Sequence, residues 1–180
     1  RAGHLLDVAG GTGLFAYEWL LANPESTATV VDRPSVLAVA AEFLDAFCGG
    51  ERAGARGVKE RVELRPGDML ADELPRADVV LAASLFHDWP TETCDRLAHR
   101  FAEALRPGGE LWVHDAFLND DLDGPLAVTD YSAQLFWVTK GRAYSRREYR
   151  RWLSGAGLVT TEDYFSTGMD YGLIWARKPG

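Results

Sequence analysis

A histidine and an aspartate stand side by side where an apolar run gives way to a predicted helix. His87 and Asp88 follow the run that ends in Phe86, and the helix starts at Pro90. A phenol, with a pKa of about 10, is a weak nucleophile until it is deprotonated, and a neutral imidazole with a pKa of about 6.5 can take its proton near neutrality. The pair is interpreted as a general base at the rim of a sheet. A helix-start histidine without chemistry is the alternative.

A second pair, His114 and Asp115, ends another apolar run. In parallel sheets ligands bind outside the carboxyl ends of the strands, so both pairs are expected at one edge. Because side chains alternate along a strand, His114 must point to the face opposite Asp115 and is not expected to take part. The spacing of these residues matches no familiar ligand set, and no metal site is predicted.

A glycine-rich turn near the start of the chain suggests a nucleoside site. Gly10, Gly11 and Gly13 let the backbone approach a ligand, and the following helix favours negative charge at its N-terminus. Asp32, at the end of the next strand, can accept both hydroxyls of a ribose. Asp7, inside the strand before the turn, suits a cationic or amino group better than a pyrophosphate. An NAD site and a glycine turn without a nucleoside ligand remain as alternatives.

Composition narrows the class of protein. The chain has 180 residues, 47% of them hydrophobic, which suits one domain with a full core. A net charge of −8 argues against nucleic acid as a partner. Apolar runs such as 79–86 are far too short to span a bilayer, so no membrane partner is expected. The two cysteines provide no disulfide framework and fit a reducing cytosol, so a cytoplasmic location is predicted.

Strand and helix patterns alternate through most of the chain. Strands are predicted within the segments 4–9, 27–32, 61–70, 77–86 and 110–118, and helices over 14–21, 34–47 and 90–105. Near-continuous apolar strands separated by helices indicate an α/β fold, with a mostly parallel sheet covered on both faces.

The C-terminal part has a different pattern. A capping box at Ser145 and Glu148 starts a last helix, which is expected to stop at Gly157. Two strands follow, 158–166 and 170–178, and only three residues separate them. So short a connection cannot hold a crossover helix, so the two strands must form an antiparallel hairpin.

Six segments, in this order, resemble one known family: "LLDVAGGTG", "VVDRPSV", "RVELRPGDML", "LFHDWPTETC", "ALRPGGELWVHD" and "GRAYSRREYRRWLSGAGL". The chain resembles the catalytic domain of class I S-adenosylmethionine-dependent methyltransferases. Within that class it is similar to the small-molecule O-methyltransferases typified by caffeate, acetylserotonin and bacterial polyketide-tailoring enzymes of secondary metabolism. The resemblance implies a Rossmann-like sheet of seven strands in the order 3-2-1-4-5-7-6. It also implies that residues 1–180 are the S-adenosylmethionine-binding catalytic domain, and that an N-terminal domain absent from this chain makes a homodimer.

The resemblance also implies roles in cofactor binding. The loop at Gly10 would hold the methionine part of S-adenosylmethionine, and Asp32 the ribose. Asp68 would accept from the adenine amino group, with Met69 against the ring; an ordinary turn is the alternative for Asp68. Ala83 stands at a further contact position, where only its backbone can contribute. S-adenosylhomocysteine would be the product.

For the chemistry, the resemblance assigns His87 as the base and Asp115 as the carboxylate that orients it. Many members carry a second carboxylate where this chain has Ala143, so Asp88 is a candidate substitute. Many members also have glycine in place of Ala9, and the alanine is expected to be tolerated if its φ is negative.

The acceptor side is less specific. Tyr131, Gln134 and Trp137 fall on a helix that lines the acceptor site in the family, although aromatic residues at this spacing also suit a core. The predicted activity is methyl transfer to a small, aromatic or polyketide-like acceptor at a hydroxyl oxygen. Alternatives are carbon methylation of a chelated α-keto acid, an NAD-dependent oxidoreductase, and a non-catalytic binding module.

Overall fold

The computed structural model describes residues 3–180, in which strands and helices alternate much as the sequence predicts. The strands are β1 His4–Val8, β2 Thr27–Asp32, β3 Val62–Pro66, β4 Ala77–Ala83, β5 Leu105–Leu118, β6 Tyr144–Ser145, β7 Val159–Thr160, β8 Phe165–Gly168 and β9 Tyr171–Arg177. The helices are α1 Leu14–Ala22, α2 Pro34–Gly49, α3 Thr91–Ala104, α4 Leu126–Val138 and α5 Arg146–Gly155, with 3-10 turns at Ala55–Val58 and Phe86–Asp88. No helix in this part of the chain is both long and apolar enough to cross a membrane.

Seven strands form one continuous path in the order β3-β2-β1-β4-β5-β9-β7. Strands β1 to β5 run parallel along this path; Leu6 of β1, for example, lies between Thr29 of β2 and Val80 of β4. β9 is antiparallel to both of its neighbours on the path, β5 and β7. The predicted Rossmann-like sheet is confirmed in strand order and direction. The short strands β6 and β8 are additions, paired with β5 and β9.

The antiparallel C-terminal hairpin is confirmed, but its first strand is not continuous. The segment 158–166 was expected to be one strand and forms two, β7 and β8, each paired with β9. Arg150 of α5 explains part of the break, because its side chain binds the carbonyl of Thr161 at 3.0 Å and the carboxylate of Glu162 at 2.7 Å. The turn itself is Met169–Asp170, with φ angles of 51° and 63°. Two successive positive values are typical of the tight turns that match the twist of a hairpin.

Helices cover both faces of the sheet. On one face, α1 and α2 pack on Leu5 and Val30. On the other, Phe101 of α3 and Trp152 of α5 pack on Leu6 and its neighbours in the central strands. The strands are therefore apolar on both sides, which explains their near-continuous hydrophobic runs. α3 ends one residue earlier than predicted, because Leu105 already begins β5.

The start of α5 is fixed by the predicted capping box. The Ser145 hydroxyl accepts from the Glu148 N–H at 3.3 Å, and the Glu148 carboxylate accepts from the Ser145 N–H at 2.9 Å. The inward face of this helix consists of Tyr149, Trp152 and Leu153, all buried. The cap therefore sets which residues of α5 meet the carboxyl half of β5.

Parallel direction brings the chemistry-bearing residues to one edge of the sheet. The glycine loop follows β1, Asp32 ends β2 and Asp68 follows β3. His87 lies in the 3-10 turn after β4, and Asp115 lies in the carboxyl half of β5. This edge, rather than any single element, forms the candidate site.

Candidate active site

The loop after β1 needs glycine for steric reasons. A Cβ on Gly10 would lie 2.7 Å from Cγ of Asp7 and 2.8 Å from Cγ1 of Val30. Gly13 has a φ of 78°, and a Cβ there would lie 2.5 Å from the Tyr17 hydroxyl. The loop is therefore pressed against β1, β2 and α1, which leaves its backbone as its ligand-facing surface.

Ala9 does not meet the condition under which it was expected to be tolerated. That condition was a negative φ, and its φ is +54°. An L-residue in this left-handed region is strained by contact between its Cβ and the backbone, by roughly 1–2 kcal/mol. The strain persists because the Ala9 N–H is bound to the Val31 carbonyl at 2.8 Å and because glycines follow directly.

Asp32 is held at the mouth of this loop. Its Oδ2 accepts from the N–H of Gly11 at 3.0 Å, and its Oδ1 accepts from the N–H of Arg33 at 2.7 Å. Each oxygen keeps a further acceptor position, so the carboxylate is fixed and can still bind a diol. It lines a cleft of ≈ 480 Å³ together with Asp68, Met69 and Trp89.

Asp7 lies beneath the loop and does not line that cleft. It is fully buried, and neither carboxylate oxygen has a hydrogen-bond partner among the described residues. Burial, and then the charge of Asp32, raise the pKa of Asp7 from 3.8 to about 7. An uncompensated carboxylate of this kind favours a positive charge nearby.

Asp68, Met69 and Ala83 differ in their exposure and in whether they line the cleft. The Asp68 side chain is exposed and accepts from the N–H of Leu70 at 2.8 Å, so the turn predicted as its alternative role is present at the same time as its place in the cleft. Met69 is half-buried and lines the cleft. Ala83 ends β4 and packs on the α1–α2 side of the sheet, outside the cleft lining.

His87 and Asp115 meet as the resemblance implies. The Nδ1 of His87 lies 2.6 Å from Oδ1 of Asp115, and both side chains are buried. A carboxylate can only accept, so Nδ1 carries a proton, and in the neutral imidazole Nε2 is then the basic nitrogen. Burial lowers the pKa of His87, but the hydrogen bond and charge of Asp115, with a contribution from Asp88, outweigh burial and raise the pKa overall.

A tyrosine hydroxyl occupies the free nitrogen of His87. The Tyr131 Oη lies 3.1 Å from Nε2, and the two rings meet edge to face at 5.4 Å. Burial raises the pKa of Tyr131, and its hydroxyl can donate to Nε2 when the imidazole is neutral with its proton on Nδ1.

Asp88 is less well placed to support the histidine. Its Oδ1 lies 3.7 Å from Nε2, beyond hydrogen-bond distance, and its side chain is half-exposed on the cleft. Its charge faces Nε2, while Nδ1 is held by Asp115. Ala143 is buried and offers no carboxylate; its N–H donates to Oγ of Ser132 at 3.1 Å.

Tyr149 is the residue that sequence reasoning did not single out. Its buried hydroxyl donates to Oδ2 of Asp115 at 2.7 Å, and burial and the charge of Asp115 raise the pKa of this phenol well above its ordinary value. A signal was present: Tyr149, Trp152 and Leu153 share one face of α5, and a buried tyrosine hydroxyl needs a polar partner.

The remaining predicted residues lie further away. Gln134 is exposed, and Trp137 is 84% exposed, with its ring edge to face with that of Phe136. His114 lies on the opposite face, as expected, with Nε2 2.9 Å from Oγ1 of Thr167. In residues 3–180 no three His, Cys, Asp or Glu side chains are grouped to hold a metal ion.

A family model described as an O-methyltransferase domain matches residues 1–159. Among curated relatives, the 3-hydroxy-5-methyl-1-naphthoate 3-O-methyltransferase of Streptomyces sahachiroi is 33% identical over 167 residues, covering 91% of this chain and 46% of the relative. The chain spans about half the length of the curated relatives it matches.

Solved structures of methyltransferases have the same fold as this chain. An O-methyltransferase family 2 protein from Planctomyces limnophilus, in complex with apigenin, superposes with a TM-score of 0.88 at 41% identity, covering 98% of this chain and 51% of that one. Human N-acetylserotonin methyltransferase, in complex with S-adenosylmethionine, gives a TM-score of 0.82 at 30% identity, with coverage of 98% and 48%.

Proposed function

The chain belongs to the O-methyltransferase domain family, and from that premise we propose that it transfers the methyl group of S-adenosylmethionine to a hydroxyl oxygen of a small aromatic acceptor, with His87 as general base. The observation that carries this proposal is the buried Asp115–His87 pair, in which Asp115 holds Nδ1 and leaves Nε2 facing away from it at the carboxyl edge of the sheet.

The cofactor fits the residues of this edge. Asp32 would hold the ribose, and Asp68 and Met69 the adenine, along the ≈ 480 Å³ cleft. The orphaned carboxylate of Asp7, directly under Gly10, would favour the positively charged methionine end of the cofactor through the loop. When bound, the cofactor supplies an electrophilic methyl group on a sulfonium sulfur.

The protein residues then do three things. Nε2 of His87 accepts the proton of the acceptor hydroxyl as the new oxygen–carbon bond forms. Asp115 stabilises the imidazolium that results and keeps Nδ1 protonated throughout. The fixed elements around the site would hold the acceptor hydroxyl beside the bound cofactor, which would supply much of the rate.

The acceptor hydroxyl would take the place that Tyr131 Oη holds in this structure. The apolar surroundings of α4 suit a flat aromatic ring, and Gln134 and Trp137 remain candidates for contacts further along that helix. Of the proteins named above, one is a 3-hydroxy-5-methyl-1-naphthoate 3-O-methyltransferase, one is an N-acetylserotonin methyltransferase and one binds apigenin.

We also propose that residues 1–180 form the cofactor-binding half of a longer, dimeric enzyme. Leu126, Phe136, Trp137 and Val138 of α4 are at least three-quarters exposed, which is unusual for a single helix of an isolated domain. A partner segment that covered them would also close the acceptor side of the site.

The test is product analysis with the full-length protein. Methyl-labelled S-adenosylmethionine is offered with apigenin, N-acetylserotonin and 3-hydroxy-5-methyl-1-naphthoate, and titration calorimetry compares S-adenosylhomocysteine with NADH. Label on a phenolic oxygen and binding of S-adenosylhomocysteine support the proposal. Binding of NADH alone, or label only on carbon, would overturn it.

A further inference from the structure

The two carboxylate oxygens of Asp115 have different partners, and only Oδ1 takes part in the proposed mechanism. Oδ1 accepts from His87 Nδ1 at 2.6 Å and from the N–H of Ala116 at 2.8 Å. Oδ2 accepts from the Tyr149 hydroxyl at 2.7 Å, and within residues 3–180 no other donor reaches it.

We propose that Tyr149 is a positioning residue, which holds the Asp115 carboxylate in the plane that keeps His87 in its Nδ1–H tautomer. The inference rests on the proposed function of His87 as a base. Tyr149 would then influence the reaction through Asp115, although the tyrosine lies behind that carboxylate and away from the acceptor.

The phenol of Tyr149 is immobilised by its neighbours. Its ring meets those of Phe86, Phe117, Tyr144 and Trp152 edge to face, with centroids 5.1 to 6.2 Å apart. The capping box fixes the first turn of α5, so the helix cannot rotate to release it. A donor held this firmly can set the orientation of the group that it binds.

Loss of the Tyr149 hydroxyl would disturb Asp115 because this carboxylate is fully buried. A buried carboxylate oxygen that loses its donor is left unpaired, which is costly and raises the pKa of the acid. The carboxylate can then turn about its χ2 axis or take a proton, and either change weakens the bond to Nδ1. His87 would no longer be held to one tautomer, and part of its population would carry the proton on Nε2, where the base must be free.

The titratable groups that face His87 come from three elements. Asp88 lies on its own turn, Asp115 on β5 and the neutral Tyr131 on α4. Among these groups the Tyr149 hydroxyl contacts only Asp115, so any effect of its removal on the imidazole must pass through that carboxylate.

The chain offers a matched control. Tyr144 is also buried, belongs to the same aromatic cluster and donates its hydroxyl to the Trp89 carbonyl at 2.6 Å, without reaching Asp115. Tyr149→Phe and Tyr144→Phe therefore remove the same atom from the same cluster. Both are made in the full-length protein, and rates are expressed per S-adenosylhomocysteine-binding site, so that unfolded protein does not count.

The first readout needs no acceptor. With ring-15N histidine, the His87 signals, identified by their loss in His87→Gln, should show a protonated Nδ1 and a bare Nε2 in the parent and in Tyr144→Phe. In Tyr149→Phe the two nitrogens should shift towards each other as the tautomers mix. A pure Nδ1–H tautomer in Tyr149→Phe would overturn the proposal.

The second readout is turnover on an acceptor phenol. Tyr149→Phe should lower kcat about 10-fold, the scale of one hydrogen bond to a buried charge, with no change in the KM for S-adenosylmethionine. In a His87→Gln background the same substitution should have almost no further effect, because the two residues act in one chain. Additive losses would mean that Tyr149 acts elsewhere, and a His87→Gln enzyme as fast as the parent would instead refute the proposed base itself.

Discussion

Asp7→Asn should make the protein more stable at alkaline pH while weakening cofactor binding. The folded-state pKa of Asp7 is raised from 3.8 to about 7, chiefly by burial. Below pH 3.8 the acid is protonated in both states and Asp7 behaves like its amide. As the pH rises towards 7, the unfolded chain ionises and the folded one does not, so the wild-type protein loses stability that the asparagine variant keeps.

The size of the effect follows from the same values. A rise from 3.8 to about 7, at about 1.36 kcal/mol per pKa unit, corresponds to ~4 kcal/mol once the pH is above 7. Local opening of the fold lets water reach the charged Asp7 and makes its ionisation less costly. The amide also has N–H donors that need partners, so a gain of about 2–4 kcal/mol is expected at pH 8.

Urea unfolding at pH 4 and pH 8 measures this difference directly. The control is Asp121→Asn, since that carboxylate is 86% exposed and its loss should change stability by a similar small amount at both pH values. Calorimetry on the same samples should show weaker S-adenosylmethionine binding by Asp7→Asn at pH 8, where the lost charge matters. A variant that is no more stable at pH 8 than at pH 4, relative to wild type, would refute the assignment of Asp7 as an unpaired buried acid.

Two further substitutions test the cofactor loop. Ala9→Gly removes the contacts of a Cβ at a φ of +54° and should stabilise the protein by about 0.5–1 kcal/mol. The control Ala16→Gly, inside α1, should destabilise it by a similar amount. Equal losses of stability for both variants in urea unfolding would contradict the strain at Ala9. Asp32→Ala should weaken S-adenosylhomocysteine binding in calorimetry by at least about 1 kcal/mol, through lost charge-assisted hydrogen bonds and the freed N–H of Gly11. Unchanged affinity would remove Asp32 from the cofactor site.

The positions of most chemistry-bearing residues could be predicted because they depend on sheet geometry. Apolar runs locate the strands, and parallel direction then puts Asp32 and His87 at one edge. Strand alternation separates His114 from Asp115, and a connection too short for a crossover makes the terminal hairpin antiparallel. Each of these inferences uses only local spacing and a rule of chain geometry.

The features that sequence reasoning missed depend on contacts between distant parts of the chain. Tyr149 meets Asp115 across 34 positions, and Tyr131 meets His87 across 44. Such contacts depend on how each helix is rotated against the sheet, which a helical pattern fixes only to within a face. The left-handed Ala9 and the break between β7 and β8 are likewise set by neighbours, the Val31 carbonyl in one case and Arg150 in the other.

The central claim is that His87 removes the acceptor proton, and His87→Gln tests it most directly. Glutamine keeps hydrogen-bonding capacity but cannot take a proton near neutral pH, and the matched His114→Gln changes a histidine on the other face of the sheet. On a weakly acidic phenol, His87→Gln should lower kcat by roughly 10²–10⁴ and leave S-adenosylhomocysteine affinity unchanged, while His114→Gln keeps its turnover. A His87→Gln enzyme with near-normal kcat on that phenol would contradict the account and assign the rate to positioning alone.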